Sequence, residues 1–578
     1  MASLTALERA PRRLASRLPV QRSAVLFALL LALVAFLVLY PIVLLVINSF
    51  QVGALGQETT WGLDNWRAAL SERQMREALL NTLSLTVTRQ AIAFILALPL
   101  AWLLARTNLP GRHWLEFLFW LAFFLPPLTL TMGWIVLLDG QRGLVNRALT
   151  NLPFFTQPPF EIFSWWGIVF THLVTGTLAV KVMLLTPAFR NMDAALEEAA
   201  HTLGSSTLGT LLRIVIPVMA PAILIVLLLG TIRSIEAFEI ELVLGAPRQI
   251  DVYSTLIYRQ VFQEPPQYGT ATAMSLLILV VLLPLVVLQQ WLTQRRSHTT
   301  ITSKHHSRLH DLGPWRWPAF GLVAGLIVII TVIPITLTII GTFMKLFGSF
   351  EVADPWTLRN WQSAITHPLF MNALRNTVVI GLVAALLCLA LSSLIAYVSV
   401  RTRYFGKSLL DFLTWMPVVI PGIVIGLGFL WMFLQTPLLR PVYGTTFILI
   451  LAVVLGNITI GSQIAKANMV QLGSELEEAS WACGGTAVYT AWRVILPLIT
   501  PTLAVIGVLT FVSAARATSL IVLLSTGPTQ PLSILQLQYL ANGQFETAAV
   551  VGVVVLLLTT GVALLARVLG LRLGLQAG

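Results

Sequence analysis

The sequence predicts an all-α membrane protein of about twelve transmembrane helices, arranged as two parallel six-helix repeats. Three observations predict it. Apolar residues make up 57% of the chain and charged residues only 10%, against roughly 25% charged in a soluble domain. Apolar runs recur at about the 20 residues that a helix needs to cross hydrocarbon. Two segments of the first half return in the second, each with its internal spacing kept. This composition excludes a soluble enzyme, and it excludes disorder, which needs few apolar residues and much charge. The net charge of +12 reads as basic loops flanking membrane spans and gives no reason to expect nucleic acid as a partner. Cys388, in an apolar run, and Cys483, in a polar loop, make neither a disulfide framework nor a zinc site.

The elements follow in order. A basic tail, residues 1–22, carries Arg9, Arg12, Arg13, Arg17 and Arg22 ahead of an apolar run from Ser23 to Phe50. A secretory signal has an apolar core of only about 7–15 residues, so the run reads as a retained first span. The first repeat, 23–292, holds spans near 23–50, 79–105, 116–138, 165–187, 217–245 and 270–292. A polar linker, 293–317, contains His298, His305, His306 and His310 and reads as a solvated tether rather than a metal site. The second repeat, 318–572, holds spans near 318–344, 376–400, 410–436, 445–467, 497–525 and 548–570. These runs are too long and too uniformly apolar for β-barrel strands, which alternate over about 10 residues. Arg295, Arg296, Lys304, Arg308 and Arg316 of the linker, Arg401, Arg403 and Lys407 all fall inside if the N-terminus is inside. The positive-inside rule therefore places both termini and the linker in the cytoplasm. With six spans per half, both halves enter the membrane the same way, related by an axis along its normal.

The repeat is legible in two places. Trp61–Trp66 (WGLDNW) followed by Asn81-Thr82 returns as Trp356–Trp361 (WTLRNW) followed by Asn376-Thr377, with the asparagines 295 residues apart. Leu196–Pro221 returns as Leu476–Pro501, 280 residues on, matching Glu197 with Glu477, Glu198 with Glu478, Gly204 with Gly484, Arg213 with Arg493 and Pro217 with Pro497. Each copy opens with good helix formers, carries acids near a helix start where the dipole favours them, and breaks at a glycine. A short helix, a turn and a second helix returning to the membrane are expected, twice.

Glu198-Ala199-Ala200, Gly204 and Ile214-Val215-Ile216-Pro217 resemble the EAA loop of importer permeases of the ATP-binding cassette (ABC) class. The second copy, Glu477-Glu478-Ala479-Ser480, Gly484 and Val494-Ile495-Leu496-Pro497, departs at Ser480 and Val494. The resemblance covers nearly the whole chain. It implies a fused, type I importer-like permease in a bacterial inner membrane, whose two loops dock on an ATPase dimer. It also implies a periplasmic or surface substrate-binding protein as the other partner, received on outer loops near 51–78, 139–164 and 246–269, with membrane lipid around the helices. No cofactor is expected in the chain; ATP and Mg belong to the ATPase. The chain's one P-loop fragment, Gly406-Lys407-Ser408, has Arg401 where the first glycine should stand, so the chain is not expected to be an enzyme. A secondary transporter is the remote alternative.

Charges inside the fifth span carry the rest. Arg233, Glu236, Glu239 and Glu241 sit where the chain should cross, and such residues usually face partners or a water-filled path. Arg233 and Glu236, three apart, share a helical face. The 280 offset maps Glu236 onto Arg516, so the two are expected to face each other across a two-fold axis, either as a static pair or as one that parts during transport. Arg233, Glu236, Glu239 and Arg516 are the candidate translocation-path residues. His172 and Lys181, nine apart, point to opposite faces and share no site. Gly422 and Gly426 permit close helix packing. Ala515–Gly552 is similar to the last two spans of the ferric-iron group of these permeases, but Ala515-Arg516 replaces the Lys-Glu-Leu-Pro usual before Ala517-Thr518. The acidic residues favour a cation, and Fe(III) suits oxygen ligands; Arg516 favours an anion or a chelate. Ferric iron is the leading expectation, and a phosphonate, thiamine, a polyamine or another small solute is the alternative.

Overall fold

A computed structural model describes residues 20–53, 60–71, 73–192, 195–294, 309–402 and 404–568. The first nineteen residues of the basic tail and linker residues 295–308, with His298, His305 and His306, lie outside the described residues. The first half contains α1 (Val20–Ser49), α2 (Arg73–Arg106), α3 (Arg112–Phe124), α4 (Pro127–Leu138), α5 (Trp165–Arg190), α6 (Ala195–Thr202), α7 (Leu211–Ile235), α8 (Glu239–Gly245), α9 (Tyr253–Phe262) and α10 (Tyr268–Gln294). The second contains α11 (Gly313–Thr342), α12 (Pro368–Arg401), α13 (Lys407–Val418), α14 (Gly422–Gln435), α15 (Thr446–Gln471), α16 (Glu475–Ala482), α17 (Val488–Ala515), α18 (Leu532–Ala541) and α19 (Phe545–Val568). Among the described residues ten helices are long and apolar enough to cross a membrane, or twelve if each of two bent pairs counts as one.

The expected third span of each half is such a pair. α3 and α4 meet at 99°, and α13 and α14 at 111°. Pro126 and Pro127 interrupt the first run, and Leu125 before them is extended at ψ 139°, where the proline ring forces it. Pro421, itself extended at ψ 141°, stands at the break in the second. The fifth spans end earlier than expected. α7 stops at Ile235 rather than 245, and α17 at Ala515 rather than 525. In the first half the chain breaks where Glu236 and its neighbours interrupt the apolar run, then restarts as α8.

The repeated Trp-Asn motifs serve as clamps on a helix end. Asn65 Nδ2 donates to the carbonyls of Ser49 (3.2 Å) and Gln51 (2.8 Å), and Trp66 Nε1 to Ser49 Oγ. Asn360 Nδ2 donates to those of Thr342 (3.0 Å) and Met344 (2.8 Å), and Trp361 Nε1 to Thr342 Oγ1. Both sets satisfy carbonyls left open at the C-terminus of a half's first helix. Likewise Thr82 Oγ1 accepts from the Tyr253 N–H, and Thr377 Oγ1 from the Leu532 N–H.

The halves exchange their first helices. α1 packs on α13 and α14 of the second half, and α11 on α3 and α4 of the first. A glycine admits each crossing. A Cβ on Gly133 would lie 2.1 Å from the Pro334 carbonyl oxygen, and one on Gly428 would lie 3.0 Å from the Pro41 ring. Asn48 and Gln435 exchange amide hydrogen bonds of 2.9 and 2.6 Å across the same seam. Gly422 and Gly426 pack closely, as their spacing suggests, against backbone atoms of Leu520.

Candidate functional site

The two Glu-Glu-Ala loops are built alike. In the first, Glu197, Glu198, Ala199 and Ala200 lie on α6, and Gly204 turns the chain at φ +83°. In the second, Glu477, Glu478, Ala479 and Ser480 lie on α16, and Gly484 turns it at φ +85°. Nothing lies within 4 Å of a Cβ built on either glycine. Backbone conformation alone therefore calls for glycine there.

The first glutamate of each loop turns inward and meets an arginine that sequence reasoning missed. Arg106, 1% exposed and last in α2, donates Nη2 to Glu197 Oε2 at 3.0 Å and Nη1 to the Met192 carbonyl at 3.1 Å. Arg401, last in α12, lies 2.8 Å from Glu477 through Nε and donates Nη2 to the carbonyls of Met469 (3.1 Å) and Leu472 (2.7 Å). Each arginine thus binds three elements: its own helix end, the carbonyls where the fourth span finishes, and the loop helix. A cation suits the negative end of a helix, and a charge-assisted bond is about twice as strong as a neutral one. Burial pushes the Glu477 carboxyl above its ordinary value, and Arg401 opposes that shift. The signal was available, since Arg106 and Arg401 are 295 residues apart, the offset already found for Asn81 and Asn376. Glu198 and Glu478 face outward. Ser480, which replaces Ala200 of the first copy, shares a 2.8 Å hydrogen bond with Thr490.

The candidate path charges gather where α7 and α17 end. Arg233 Nη1 donates to Glu236 Oε2 at 3.0 Å, as their spacing suggests. Arg516 does not meet Glu236. Its guanidinium donates to the Phe123 carbonyl at 2.6 Å, sits 4.9 Å from the Phe123 ring centre, and lies in electrostatic range of Glu239 and Arg233. The expected Glu236–Arg516 pair is not formed: Glu236 is taken by Arg233, and Glu239, beyond the break after Ile235, is the acid in range of Arg516. Arg516 thereby holds the last turn of α3 from the opposite half.

A separate buried ionic cluster is formed by residues of the first half. Arg89 Nη1 donates to Glu241 Oε1 at 3.0 Å, with the side chains 2% and 1% exposed. Arg89 Nη2 also donates to the Ser234 carbonyl, and His172 Nε2 lies 2.8 Å from Glu241 Oε1. The repeat offsets match Arg89, His172 and Glu241 with Ala384, Ala452 and Ile521. Among the described residues no group of three or more His, Cys, Asp or Glu could hold a metal.

Several known proteins are similar to this chain. Residues 97–298 match the family described as binding-protein-dependent transport system inner membrane component. Over 550 residues the chain is 26% identical to the ferric transport system permease protein FbpB of Actinobacillus pleuropneumoniae, covering 93% of this chain and 76% of that protein. Over 217 residues it is 29% identical to the molybdenum transport system permease protein ModB of Haemophilus influenzae, covering 37% and 91%. A crystal structure of a bacterial ABC transporter involved in import of the acidic polysaccharide alginate overlaps 49% of this chain and 98% of its own at 22% identity and a TM-score of 0.41. The matched segment, the full-length likeness and the paired loops make the chain similar to two-repeat permeases of binding-protein-dependent importers, and its long apolar helices are those of a multi-pass inner-membrane protein.

Proposed function

We propose that this permease is the translocating subunit of an ATP-driven importer, working between an ATPase dimer and a substrate-binding protein. The ATPase subunits carry ATP and Mg and dock on α6 and α16, which face the cytoplasm together with both termini. The binding protein delivers solute at the opposite end, to the loops near 51–78, 139–164 and 246–269 and their counterparts. Repeats 23–292 and 318–572, joined by the linker 293–317, rock against one another. The observation that carries this reading is the matched pair of tethers, Arg106–Glu197 and Arg401–Glu477. A push on either loop helix passes through its arginine to the ends of two membrane helices at once. The outward faces of the loops offer Leu203, Tyr489 and Trp492, all exposed.

Arg233, Glu236, Glu239 and Arg516 border the path. Ferric iron is the favoured cargo, because the relative matched over 93% of the chain is by name a ferric permease and carboxylates suit a hard cation. The molybdenum relative and the two arginines favour the second reading, in which the same machine carries an anion or another small solute. The test is uptake of radiolabelled Fe(III) into proteoliposomes holding the chain, its ATPase and its binding protein, with ATP enclosed on the ATPase side. ATP-dependent uptake that needs all three supports machine and cargo. Hydrolysis stimulated by the binding protein without iron uptake keeps the machine and rejects iron. Uptake by the chain alone without ATP rejects the machine.

A further inference from the structure

One corner of the molecule collects positive charge and exposed indoles. The chain between α2 and α3 lies against the linker's end. His310 donates its N–H to the Arg106 carbonyl (2.7 Å), and Asn108 donates its own to His310 (3.1 Å). Asn108 Nδ2 reaches Asp311 at 2.6 Å, and its Oδ1 accepts from Leu312 N–H. This joint aligns the starts of α3 and α11, and Gly111 sits against the Phe320 ring. α19 ends at the same corner, where the Arg567 guanidinium lies over the rings of Phe117 (3.4 Å to the centre) and Trp114 (5.0 Å).

Arg112 opens α3, Arg316 stands in the first turn of α11 and Arg567 in the last turn of α19, and none of the three forms an ion pair among the described residues. Asp311, in electrostatic range of Arg316, is engaged through Oδ1 by Asn108 and the Gly313 N–H. Glu116, on α3, is paired with Arg190 at 2.6 Å. Two helix N-termini add positive potential. Trp114, Trp315 and Trp317 stand 65%, 72% and 59% exposed around the arginines. Just inside them Leu322 and Leu565 face outward, 62% and 59% exposed.

The geometry points to a binding site for the headgroup of an anionic phospholipid at the seam of α3, α11 and α19. A soluble anion would need the arginines alone. Here the charges sit at the level where membrane helices begin, ringed by indoles of the kind that occupy the headgroup zone, with apolar side chains below to receive acyl chains. Basic clusters between membrane helices at a leaflet surface recognise anionic headgroups by this combination. Because the site joins α3 of one half to α11 and α19 of the other, an occupant cross-links the repeats.

The test uses the purified full chain in neutral detergent, stripped of lipid, with no ATPase or binding protein present. Its unfolding midpoint is measured with added phosphatidylglycerol, phosphatidylcholine or inorganic phosphate. Phosphatidylglycerol should raise the midpoint by several degrees and phosphatidylcholine should not. The variant R112Q/R316Q/R567Q should lose at least half of that selective shift, while R359Q/R375Q, at the opposite end, keeps it. Equal shifts from both lipids, or a full shift in the triple variant, would overturn the proposal. Inorganic phosphate reproducing the whole shift would overturn the lipid as its source. Should the triple variant fail to fold, R316Q alone is paired with quenching of tryptophan fluorescence by brominated phosphatidylglycerol. W315F/W317F should then remove part of the quenching, and unchanged quenching would refute the site.

Discussion

Replacing Arg89 with methionine leaves Glu241 in a place 1% exposed to solvent with only His172 beside it. The substitution removes the 3.0 Å bond to Glu241 and the bond to the Ser234 carbonyl. Breaking a buried pair by deleting one partner costs about 3–5 kcal/mol, because the remaining charge is uncompensated. Removing all the charges together has a different sign. Apolar replacement of a complete buried ion pair is neutral or stabilising by about 1–4 kcal/mol. The lost bond to Ser234 offsets that by roughly 1 kcal/mol. R89M/H172L/E241L should therefore lie between about 1 kcal/mol below and about 3 kcal/mol above the parent, and well above R89M. The second half already contains that experiment in Ala384, Ala452 and Ile521. The assay is thermal unfolding in detergent, with the monodisperse fraction after heating as a second measure. If the triple variant is as unstable as R89M, or R89M matches the parent, the cluster is not held as an ionic unit and the reasoning fails.

Other outcomes follow from the same geometry. R106A or R401A should cut transport per ATP hydrolysed by about tenfold or more, since each removes charge-assisted bonds of about 1.5–3 kcal/mol; coupled assays in proteoliposomes read this directly. G204A and G484A should each cost about 1–2 kcal/mol through backbone conformation, with G204N milder than G204A. The bulky double substitution should uncouple hydrolysis from uptake, and normal coupling in it would reject the loop assignment. G133A should destabilise the seam by about 1–3 kcal/mol as overpacking does, whereas G507A, with nothing within 4 Å of its Cβ, should be silent in the same melts. Exchanging the charges of Glu236 and Arg516 should not restore uptake, because a carboxylate at 516 cannot donate to the Phe123 carbonyl; R516K should retain more activity than R516E.

Much of this was legible along the chain. Span positions followed from composition because a lipid-facing helix must be apolar over its length. The bends did not follow, because hydropathy reports what a run is made of and not its direction; Pro126 and Pro421 were the mark to notice. The Arg106 and Arg401 tethers were readable from the repeat offset, since both arginines stand 295 residues apart like Asn81 and Asn376. The partner of Arg89 was not readable. It stands 152 residues away, and nothing local distinguishes a lone arginine that finds a carboxylate from one lining water. The candidate path charges were located by rarity, yet their pairing depended on the chain beyond the break after Ile235, which brings Glu239 rather than Glu236 into range of Arg516.

The exchange of first helices has a consequence for how the protein is made. Asn48 and its partner Gln435 are 387 positions apart. At about 5–20 residues per second, α1 waits roughly 20–80 s in the bilayer before α14 leaves the ribosome. During that interval the Asn48 amide has only its local bond to the Leu44 carbonyl, and the groove beside Pro41 is filled by lipid or by the insertion machinery. A first half released on its own would keep that unfinished edge indefinitely. Carrying both repeats on one polypeptide limits the exposure to a single round of synthesis and delivers the matching glycine in equal number to every α1.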